Sequence, residues 1–259
     1  MPLLPSPLRT EIGALLREAG RTILLPAFHD HRTGGVHRKQ DGSPVTETDR
    51  RCQEFLHRHL RRCTPRFAFL GEEMEPAAQQ QALRADTPCW CLDPLDGTSN
   101  FVAGIPCFAI SLGLLHQGRA VAGWIYDPVA DELFCPDDPP QPAPTAASPL
   151  AESVGFVDFK RLTPRLALRL LTHPIGSSQR NLGSCALEWA WLTRGRGRFL
   201  IHGGEQIWDY AAGLALARNS GCMVCDFSGA DPLAGGRLAS SILAARSEEE
   251  LRALQQAVA

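Results

Sequence analysis

The segment W-C-L-D-P-L-D-G-T-S-N-F, from Trp90 to Phe101, brings two carboxylates close together on one short turn. Asp93 and Asp96 are separated by two residues, of which Pro94 has a fixed φ and biases Asp93 toward extended backbone. Two carboxylates held this close repel each other unless a cation lies between them. Mg²⁺ and Mn²⁺ prefer oxygen ligands of this kind, so the spacing predicts a divalent metal site.

The residues that follow this acidic pair are suited to hold an anion. Gly97 lets the backbone turn where a side chain would clash, and Thr98 and Ser99 add hydroxyls and backbone N–H groups. Amides placed in this way receive an anion as the N-terminus of a helix does. Metal ions beside an anion-binding turn indicate phosphate chemistry. The D-P-x-D-G core alone is equally consistent with a surface Asp-Pro turn followed by a helix cap.

Two further acids stand at the ends of predicted elements. Asp49 lies in the first turn of a helix predicted from about residue 49 to 62, with Thr46 or Thr48 as its cap, where an acid complements the helix dipole. Glu72 follows a short apolar strand that stops at a glycine, so its carboxylate can point at a site beside the strand end. Taken alone, either acid is explained by ordinary structure or by solvation.

The composition is that of an ordinary globular protein, with 259 residues, 44% hydrophobic and 21% charged. A net charge of −2 gives no reason to expect a nucleic acid or a membrane as partner. No segment has the apolar length of a membrane span, and Met1–Thr10, with three prolines, predicts no signal peptide. The nine scattered cysteines favour reduced thiols in a cytoplasmic protein, and the lone pair Cys222 and Cys225 lacks the partners of a zinc site.

The first half of the chain mixes helices with β-prone runs. Helical spacing of apolar residues predicts an amphipathic helix at Thr10–Phe28, followed by a polar loop at 29–38. Strands are predicted at Phe67–Leu70, at Cys89–Leu92, in a hairpin of Phe108–His116 with Ala120–Tyr126, and at Asp131–Phe134. We expect a loop at Glu75–Pro88. A Pro-rich connection at 136–149 divides a half at 1–140 from a half at 150–259.

The second half alternates strands and helices more regularly, which favours a layered α/β fold. Strands are predicted at 153–159, 177–181, 197–202, 223–227 and 240–244, and helices at 162–172, 183–193, 206–217 and 248–258.

Four separated motifs resemble those of the inositol monophosphatase family, and they occur in the same order. They are V-T-E-T-D at Val45–Asp49, G-E-E at Gly71–Glu73, the central D-P-L-D-G-T-S-N-F and W-D-Y-A-A-G at Trp208–Gly213, with L-G-S-C-A-L-E at Leu182–Glu188 as a further match. The resemblance implies an α/β (α+β) fold, a five-layered αβαβα sandwich of the inositol monophosphatase/fructose-1,6-bisphosphatase type. It also implies a homodimer and a Mg²⁺-dependent, Li⁺-sensitive phosphomonoesterase. Haloacid-dehalogenase phosphatases are excluded because their D-x-D-G-T motif has one residue between the aspartates.

The resemblance also assigns roles to individual residues. The metal ligands would be Glu72, Asp93, the Leu95 carbonyl, Asp96 and Asp209, holding two or three Mg²⁺ ions, with Mn²⁺ as an alternative. Asp49 and Thr98, together with Glu72, would orient and activate the attacking water. The substrate would contact Gly97, Thr98 and Ser99 through its phosphate and Gly183, Ser184 and Cys185 through its alcohol portion. Because Asp209 lies in the second half, we expect the site to close only when both halves pack.

One position departs from the family pattern. Many members carry an acid seven residues before the W-D aspartate, where it binds substrate hydroxyls, but this chain has His202 there. Glu205 lies nearby with a different spacing and is the alternative contact. This departure leaves the predicted chemistry intact and leaves the substrate open.

The leading hypothesis is therefore a phosphatase that acts on a small polyol or sugar phosphate, similar to inositol 1-phosphate. Alternatives within the wider superfamily are a phosphatase of 3′-phosphoadenosine or another nucleotide, of fructose 1,6-bisphosphate, or of histidinol phosphate. A different class is a regulatory binding protein, as some bacterial relatives contact the transcription machinery. The complete set of predicted metal ligands argues against a purely non-catalytic role.

Overall fold

A computed structural model describes residues 3–30, 36–38, 44–138 and 149–259. The strands, in chain order, are β1 (Val36–Arg38), β2 (Pro44–Thr46), β3 (Ala68–Gly71), β4 (Cys89–Asp96), β5 (Ala109–His116), β6 (Arg119–Asp127), β7 (Glu132–Phe134), β8 (Val154–Asp158), β9 (Ser178–Arg180), β10 (Phe199–Gln206), β11 (Met223–Cys225) and β12 (Ala239–Ala245). The helices are α1 (Ser6–Ala19), α2 (Leu25–His29), α3 (Glu47–Cys63), α4 (Pro76–Leu83), α5 (Thr98–Ala103), α6 (Pro164–Thr172), α7 (Cys185–Thr193), α8 (Ile207–Asn219) and α9 (Glu248–Val258).

The strands form two five-stranded mixed sheets and one short antiparallel hairpin, β1–β2. The first sheet has the order β3-β4-β5-β6-β7, in which β3 and β4 run parallel and the other neighbours antiparallel. The second sheet has the order β11-β12-β10-β8-β9, in which β8 runs parallel to both β9 and β10. The hairpin predicted from residues 108–126 is confirmed as β5 and β6.

Three apolar clusters separate the layers. Leu16 of α1 lies in one cluster with Trp124 of the first sheet, and Trp189 of α7 lies in a second cluster that joins α7 and α8 to both sheets. Leu170 of α6 and Leu254 of α9 lie in a third cluster, against the second sheet. The resulting order of helix, sheet, helix, sheet and helix confirms the predicted five-layered αβαβα sandwich.

The predicted N-terminal helix is present but begins earlier and is not uniform. After α1 the chain passes through a π-helical turn at Gly20–Leu24 into α2, and the Leu25 N–H donates to the Gly20 carbonyl. Pro26 has no N–H to donate, which is a common reason for such a shift in helical bonding. The loop predicted at 29–38 is wrong at its end, because residues 36–38 form β1, and residues 31–35 lie outside the described part.

The loop predicted at Glu75–Pro88 is also wrong, because it contains the two-turn helix α4. Pro76 occupies the start of this helix, where a missing N–H costs nothing, and the following Ala and Gln residues have high helix propensity. Gln79 is the residue of α4 that is buried. Without an apolar stripe, the sequence had no periodic signal from which the helix could be predicted.

The strand predicted at 197–202 extends through Gly203 and Gly204 to Gln206 as β10. Its pairing with β12 shifts between His202 and Glu205, which is the signature of a β-bulge. Gly203 is required there, because a Cβ at this position would lie 2.0 Å from the carbonyl oxygen of Arg161.

Of the Pro-rich connection predicted at 136–149, residues 139–148 lie outside the described part of the chain. The division into halves at 1–140 and 150–259 stays a prediction. Within the described ranges, no helix combines the length and the apolar character needed to cross a membrane.

Candidate active site

Glu72 and Asp93 reach one edge of the first sheet because β3 and β4 lie side by side in the same direction. The Glu72 N–H donates a 3.0 Å hydrogen bond to the Leu92 carbonyl, which continues the pairing past the end of β3. The Gln79 side chain donates hydrogen bonds of 3.1 and 3.0 Å to the carbonyls of Gly71 and Glu72. The Glu72 backbone is thus fixed on both sides.

The pairing of β4 with β5 shifts between Asp93 and Asp96. Residues three apart in a regular strand point to opposite faces, so this irregularity lets both carboxylates line one cavity. The Leu95 N–H donates a 2.9 Å hydrogen bond to Asp93 Oδ1. Both aspartates are buried, with exposed fractions of 2% for Asp93 and 7% for Asp96.

Gly97 turns the chain out of β4 with a φ of 91°, a left-handed conformation that glycine adopts without a Cβ penalty. A Cβ at Gly97 would lie 3.0 Å from the Cys107 carbonyl oxygen. Helix α5 begins at the next residue, so Gly97, Thr98 and Ser99 line the cavity together.

Asp49 lies behind Thr98 rather than in the cavity wall. The Thr46 N–H donates a 2.8 Å hydrogen bond to Asp49 Oδ2 and the Thr46 side chain accepts from a backbone N–H of α3, which forms a capping box at the start of this helix. The Thr46 hydroxyl also donates to Asp49 Oδ2, at 2.5 Å. The Thr98 hydroxyl lies 3.2 Å from Asp49 Oδ1 and 3.0 Å from the Leu95 carbonyl oxygen. Burial raises the pKa of Asp49 above its ordinary value. Asp49 is therefore both a helix cap and the neighbour of a cavity hydroxyl.

Asp209 completes an aspartate cluster from the second half of the chain. It lies in the first turn of α8, where the Gln206 N–H donates a 3.0 Å hydrogen bond to its Oδ2. Carboxylate oxygens of Asp93, Asp96 and Asp209 lie within 4.8 Å of one another, and all three side chains are buried. Three buried carboxylates at this separation fit a hard divalent cation such as Mg²⁺, which takes oxygen ligands.

The second half also holds Asp96 directly. The Ser184 hydroxyl donates a 2.5 Å hydrogen bond to Asp96 Oδ2, and the Ala186 N–H donates to the same oxygen at 2.8 Å. Nearby, the Asn100 side chain donates a 2.7 Å hydrogen bond to the Leu182 carbonyl. The segment predicted to contact the substrate, residues 183–185, therefore also helps to orient a candidate metal ligand.

The bulge in β10 turns His202 and Glu205 into the same cavity. Both are buried, and His202 Nδ1 lies 3.5 Å from Glu205 Oε1 and 3.3 Å from Cys185 Sγ. On the other side of the ring, His202 Nε2 lies 2.6 Å from Glu188 Oε2. His202, at the position that departs from the family pattern, and Glu205, the alternative contact, therefore lie next to each other.

Burial and repulsion from neighbouring acids raise the pKa of three carboxyls in the cavity, those of Asp93, Asp96 and Glu205. Burial comes first for Asp93, followed by the charges of Glu72, Asp96 and Asp209, and its pKa lies well above the ordinary value. Burial and the charge of Asp209 raise the pKa of Asp96 to about 7. Burial and Asp209 likewise raise the pKa of Glu205 well above its ordinary value. The cavity therefore favours a bound cation.

The predicted site residues, apart from Asp49, line one cavity of about 270 Å³. They are Glu72, Asp93, Leu95, Asp96, Gly97, Thr98, Ser99, Gly183, Ser184, Cys185, His202, Glu205 and Asp209. Asp49 reaches this cavity through the Thr98 hydroxyl. Both halves of the chain contribute to the wall, as expected from the position of Asp209.

Several polar residues that no sequence motif predicts also line the cavity, namely Asp158, Lys160, Arg161, Asn181 and Glu188. Arg161 lies 3.6 Å from Glu205 and 3.8 Å from Asp209, so it supplies positive charge to this wall. Asp158 ends β8, and Lys160, Arg161 and Asn181 follow the ends of β8 and β9, two parallel neighbours of which β8 also pairs with β10. The strands were predictable, but their order in the sheet was not.

Comparisons with known proteins identify the family of the chain. The sequence model of the Inositol monophosphatase family matches residues 6–259. Inositol monophosphatase 1 of Solanum lycopersicum is 33% identical over 215 residues, which cover 78% of this chain and 78% of that protein. Inositol-1-monophosphatase of Mesorhizobium japonicum is 30% identical over 266 residues, covering 93% and 92%. The Nus factor SuhB of Xylella fastidiosa is 29% identical, covering 83% of this chain and 80% of that protein.

Solved structures show the same architecture. The extragenic suppressor protein suhB of Bartonella henselae superposes with a TM-score of 0.84 at 29% identity, covering 98% of both chains. An IMPase of Thermotoga maritima superposes with a TM-score of 0.79 at 28% identity, again covering 98% of both chains. With a family match from residue 6 to 259 and this agreement in fold, the chain belongs to the inositol monophosphatase family.

Proposed function

We propose that the protein is a Mg²⁺-dependent phosphomonoesterase that hydrolyses a small polyol or sugar phosphate with an attacking water. The observation that carries this proposal is the aspartate cluster of Asp93, Asp96 and Asp209, which lies in one cavity with the turn at 97–99. Phosphoryl transfer requires positioning and cancellation of charge more than covalent help from the protein. The names of the relatives support the same reaction class.

The residues divide the work of this reaction between them. Mg²⁺, when held by Glu72, Asp93, the Leu95 carbonyl, Asp96 and Asp209, supplies positive charge to the phosphate oxygens and the leaving alcohol. The amides of Gly97 and Thr98, with the Ser99 hydroxyl, hold the phosphate in place. The Thr98 hydroxyl accepts a proton from the attacking water and passes its own proton to Asp49 Oδ1, 3.2 Å away. The raised pKa of Asp49 makes it a better base for this step.

The alcohol portion of the substrate meets the wall formed by the second half. Asp158, Asn181 and His202 line this wall, and the Asn181 side chain donates a 2.8 Å hydrogen bond to Asp158. A wall with both donors and acceptors suits the several hydroxyls of a polyol better than an apolar group. Inositol 1-phosphate is therefore the first substrate to test.

The test is phosphate release from inositol 1-phosphate, fructose 1,6-bisphosphate, histidinol phosphate and 3′-phosphoadenosine 5′-phosphate, with and without Mg²⁺ and with added Li⁺. We expect Mg²⁺-dependent, Li⁺-inhibited release from a polyol or sugar phosphate, and none with Asp93→Asn. Asp127→Asn is the matched control, because Asp127 is buried outside the cavity, where it accepts hydrogen bonds from two backbone N–H groups. No release by the folded wild-type protein from any of the four compounds would overturn the proposal.

A regulatory role is the second candidate, and the relatives named Nus factor SuhB favour it. Complementation of a deletion strain distinguishes the two functions. If Asp93→Asn restores the phenotype as fully as the wild-type chain does, a binding role explains the biology. If it fails while Asp127→Asn succeeds, catalysis does.

The homodimer implied by the resemblance is also proposed for this chain, and light scattering of the purified protein tests it. The two-half organisation and the cytoplasmic location stay predictions.

A further inference from the structure

We propose that Cys185, His202 and Glu205 form a second metal site, suited to Zn²⁺ or a similar transition-metal ion, beside the aspartate cluster. One ligand atom of each residue lies within 4.8 Å of the other two. Thiolate and imidazole ligands select a transition metal, whereas the carboxylates of the aspartate cluster suit Mg²⁺. The one cavity would therefore bind two chemically different cations at neighbouring positions.

The distances from His202 Nδ1 to the other two ligand atoms fit a tetrahedral ion. Zn²⁺ binds nitrogen, oxygen and sulfur ligands at about 2.0–2.3 Å, which places neighbouring ligands about 3.3–3.8 Å apart. Cys185 Sγ lies 3.3 Å from His202 Nδ1, and His202 Nδ1 lies 3.5 Å from Glu205 Oε1. Three protein ligands leave the fourth position open toward the cavity, as in zinc sites that bind a water or an exogenous ligand.

The histidine has the supporting partner that metal-bound histidines usually have. His202 Nε2 lies 2.6 Å from Glu188 Oε2, and the other oxygen of Glu188 accepts a 2.6 Å hydrogen bond from the Leu182 N–H. A fixed carboxylate at Nε2 keeps the proton on that nitrogen and leaves the Nδ1 lone pair directed at Cys185 and Glu205. A histidine that binds zinc usually donates its other ring N–H to a carboxylate in this way.

The charges around the cluster favour a metal over a cysteine nucleophile. The same contacts place a thiol, a histidine and a carboxylate in series, which is also the order of a nucleophile, its base and the group that orients the base. A reactive thiolate requires positive surroundings. Cys185 instead lines the cavity with the acids Glu188, Glu205 and Asp209, while the cations Lys160 and Arg161 lie in the same wall and Arg161 is already next to Glu205 and Asp209. A divalent ion supplies the missing positive charge.

Arg161 leaves Glu205 able to bind. Its guanidinium lies 3.6 Å from Glu205 Oε2, whereas Oε1 is the oxygen that faces His202. The guanidinium also donates a 2.7 Å hydrogen bond to the Gly204 carbonyl, which holds the bulge of β10 in place. Glu205 therefore contacts Arg161 with one oxygen and the proposed metal position with the other.

Cobalt spectroscopy tests the proposal directly, because Co²⁺ occupies zinc sites and gives a thiolate charge-transfer band in the near ultraviolet when sulfur binds it. The titration uses the reduced full-length protein with a saturating excess of Mg²⁺. We expect one equivalent of Co²⁺ to give this band and one equivalent of Zn²⁺ to remove it. Absence of the band from the folded wild-type protein would overturn the proposal.

Variants locate the ion. Cys185→Ala removes the band, whereas Cys135→Ala keeps it, since Cys135 is another half-buried thiol with a carboxylate neighbour, Asp138. Asp93→Asn keeps the band, because Asp93 belongs to the aspartate cluster. A band that survives Cys185→Ala, or that disappears in Asp93→Asn, would overturn the assignment. If Cys185→Ala does not fold, Cys185→Ser serves in its place.

Glu188→Gln measures the outer contact. We expect the affinity for Zn²⁺, measured by competition with a chromophoric chelator, to fall about 10–100-fold, as for other outer partners of zinc ligands. An unchanged affinity would show that Glu188 does not support the histidine as a ligand.

Binding at this site has a consequence that rests on the proposed function. Both clusters line the same cavity, so an ion on Cys185 occupies space that the alcohol portion of the substrate needs. Zn²⁺ should therefore inhibit phosphate release at saturating Mg²⁺. When the inhibition of each protein is expressed relative to its own rate without Zn²⁺, the half-inhibiting Zn²⁺ concentration should be at least about tenfold higher for Cys185→Ala than for the wild type. A cobalt band without phosphatase activity rejects the proposed function alone, whereas activity without a band rejects the metal site alone.

Discussion

The aspartate cluster (Asp93, Asp96 and Asp209) and the Cys-His-Glu cluster (Cys185, His202 and Glu205) line the same cavity but are built differently. The first cluster takes two of its members from a local motif at the end of one strand. The members of the second come together only in the folded chain, where the bulge in β10 places His202 and Glu205 beside Cys185 at the start of α7. Local sequence predicts the first kind of cluster well and the second kind poorly.

The clusters also differ in the charge of their own ligands. The aspartate cluster consists of three carboxylates, and burial and Asp209 raise the pKa of Asp96 to about 7 although Asp96 accepts hydrogen bonds from Ser184 and Ala186. The Cys-His-Glu cluster has one carboxylate beside a thiol and an imidazole. Arg161 lies 3.6 Å from Glu205 and 3.8 Å from Asp209, so its guanidinium adds positive charge beside both clusters.

Asp93→Asn should cause the largest loss. It removes one of the three carboxylates of the aspartate cluster, and we expect kcat for phosphate release to fall more than about 1000-fold, or over ~4 kcal/mol. Steady-state kinetics at saturating Mg²⁺ measure the change, with Asp127→Asn as the control. A decrease of less than tenfold would mean that the aspartate cluster is not the reaction centre.

Asp49→Asn should have the next largest effect, about 100-fold on kcat, which is within the range of a lost general base. The asparagine oxygen can still accept the Thr46 hydrogen bonds, so the melting temperature should change little. Glu47→Gln changes an exposed acid in the same first turn of α3 and should leave kcat unchanged. If the loss of stability of Asp49→Asn accounts for its loss of activity, Asp49 acts only as a helix cap.

Gly203→Ala should destabilise the fold by about 1–3 kcal/mol through overpacking. Its Cβ would lie 2.0 Å from the Arg161 carbonyl oxygen, whereas a Cβ at Gly204 meets no atom within 4 Å. Gly204→Ala is therefore the matched control for denaturant unfolding. Under conditions in which Gly203→Ala is folded, it should also bind Co²⁺ more weakly at the Cys-His-Glu cluster than the wild type does. Equal stabilities of the two variants would contradict the need for glycine in the bulge.

The last prediction is a pH dependence of the metal-free protein. The pKa of Asp96 is about 7 in the folded state against 3.8 for an ordinary Asp, so the folded state binds more protons between these values. The free energy of unfolding should therefore fall as pH rises from about 4 to about 7, and this contribution should level off above pH 7. Thermal melts after treatment with a chelator measure the slope, which should be shallower in Asp96→Asn. A slope of equal size in the variant would assign the titration elsewhere.

The same difference between the two clusters explains which parts of the site could be predicted from the sequence. Asp93, Asp96 and the turn at Gly97 lie in one segment, so their mutual placement follows from local backbone rules. The approach of Asp209 was expected from the resemblance alone, since the two segments lie far apart in the chain. Arg161 and Glu188 were missed because a charged residue after a strand or inside a helix has the same local pattern whether it faces solvent or a cavity.

Helix α4 should open locally more easily than β4, the strand that carries two of the site's aspartates. Its one buried residue, Gln79, binds the carbonyls of Gly71 and Glu72 through its side-chain amide, and only its last residues, Ala82 and Leu83, pack against the apolar core. Segments with few buried contacts open locally at a lower free energy than the core of the fold. The amide protons of α4 should therefore exchange with solvent before those of β4 do. Each such opening should free the Glu72 carbonyl while the Glu72 N–H stays bonded to the Leu92 carbonyl, so a neutral glutamine outside the cavity contributes to how long the backbone of a candidate metal ligand stays fixed.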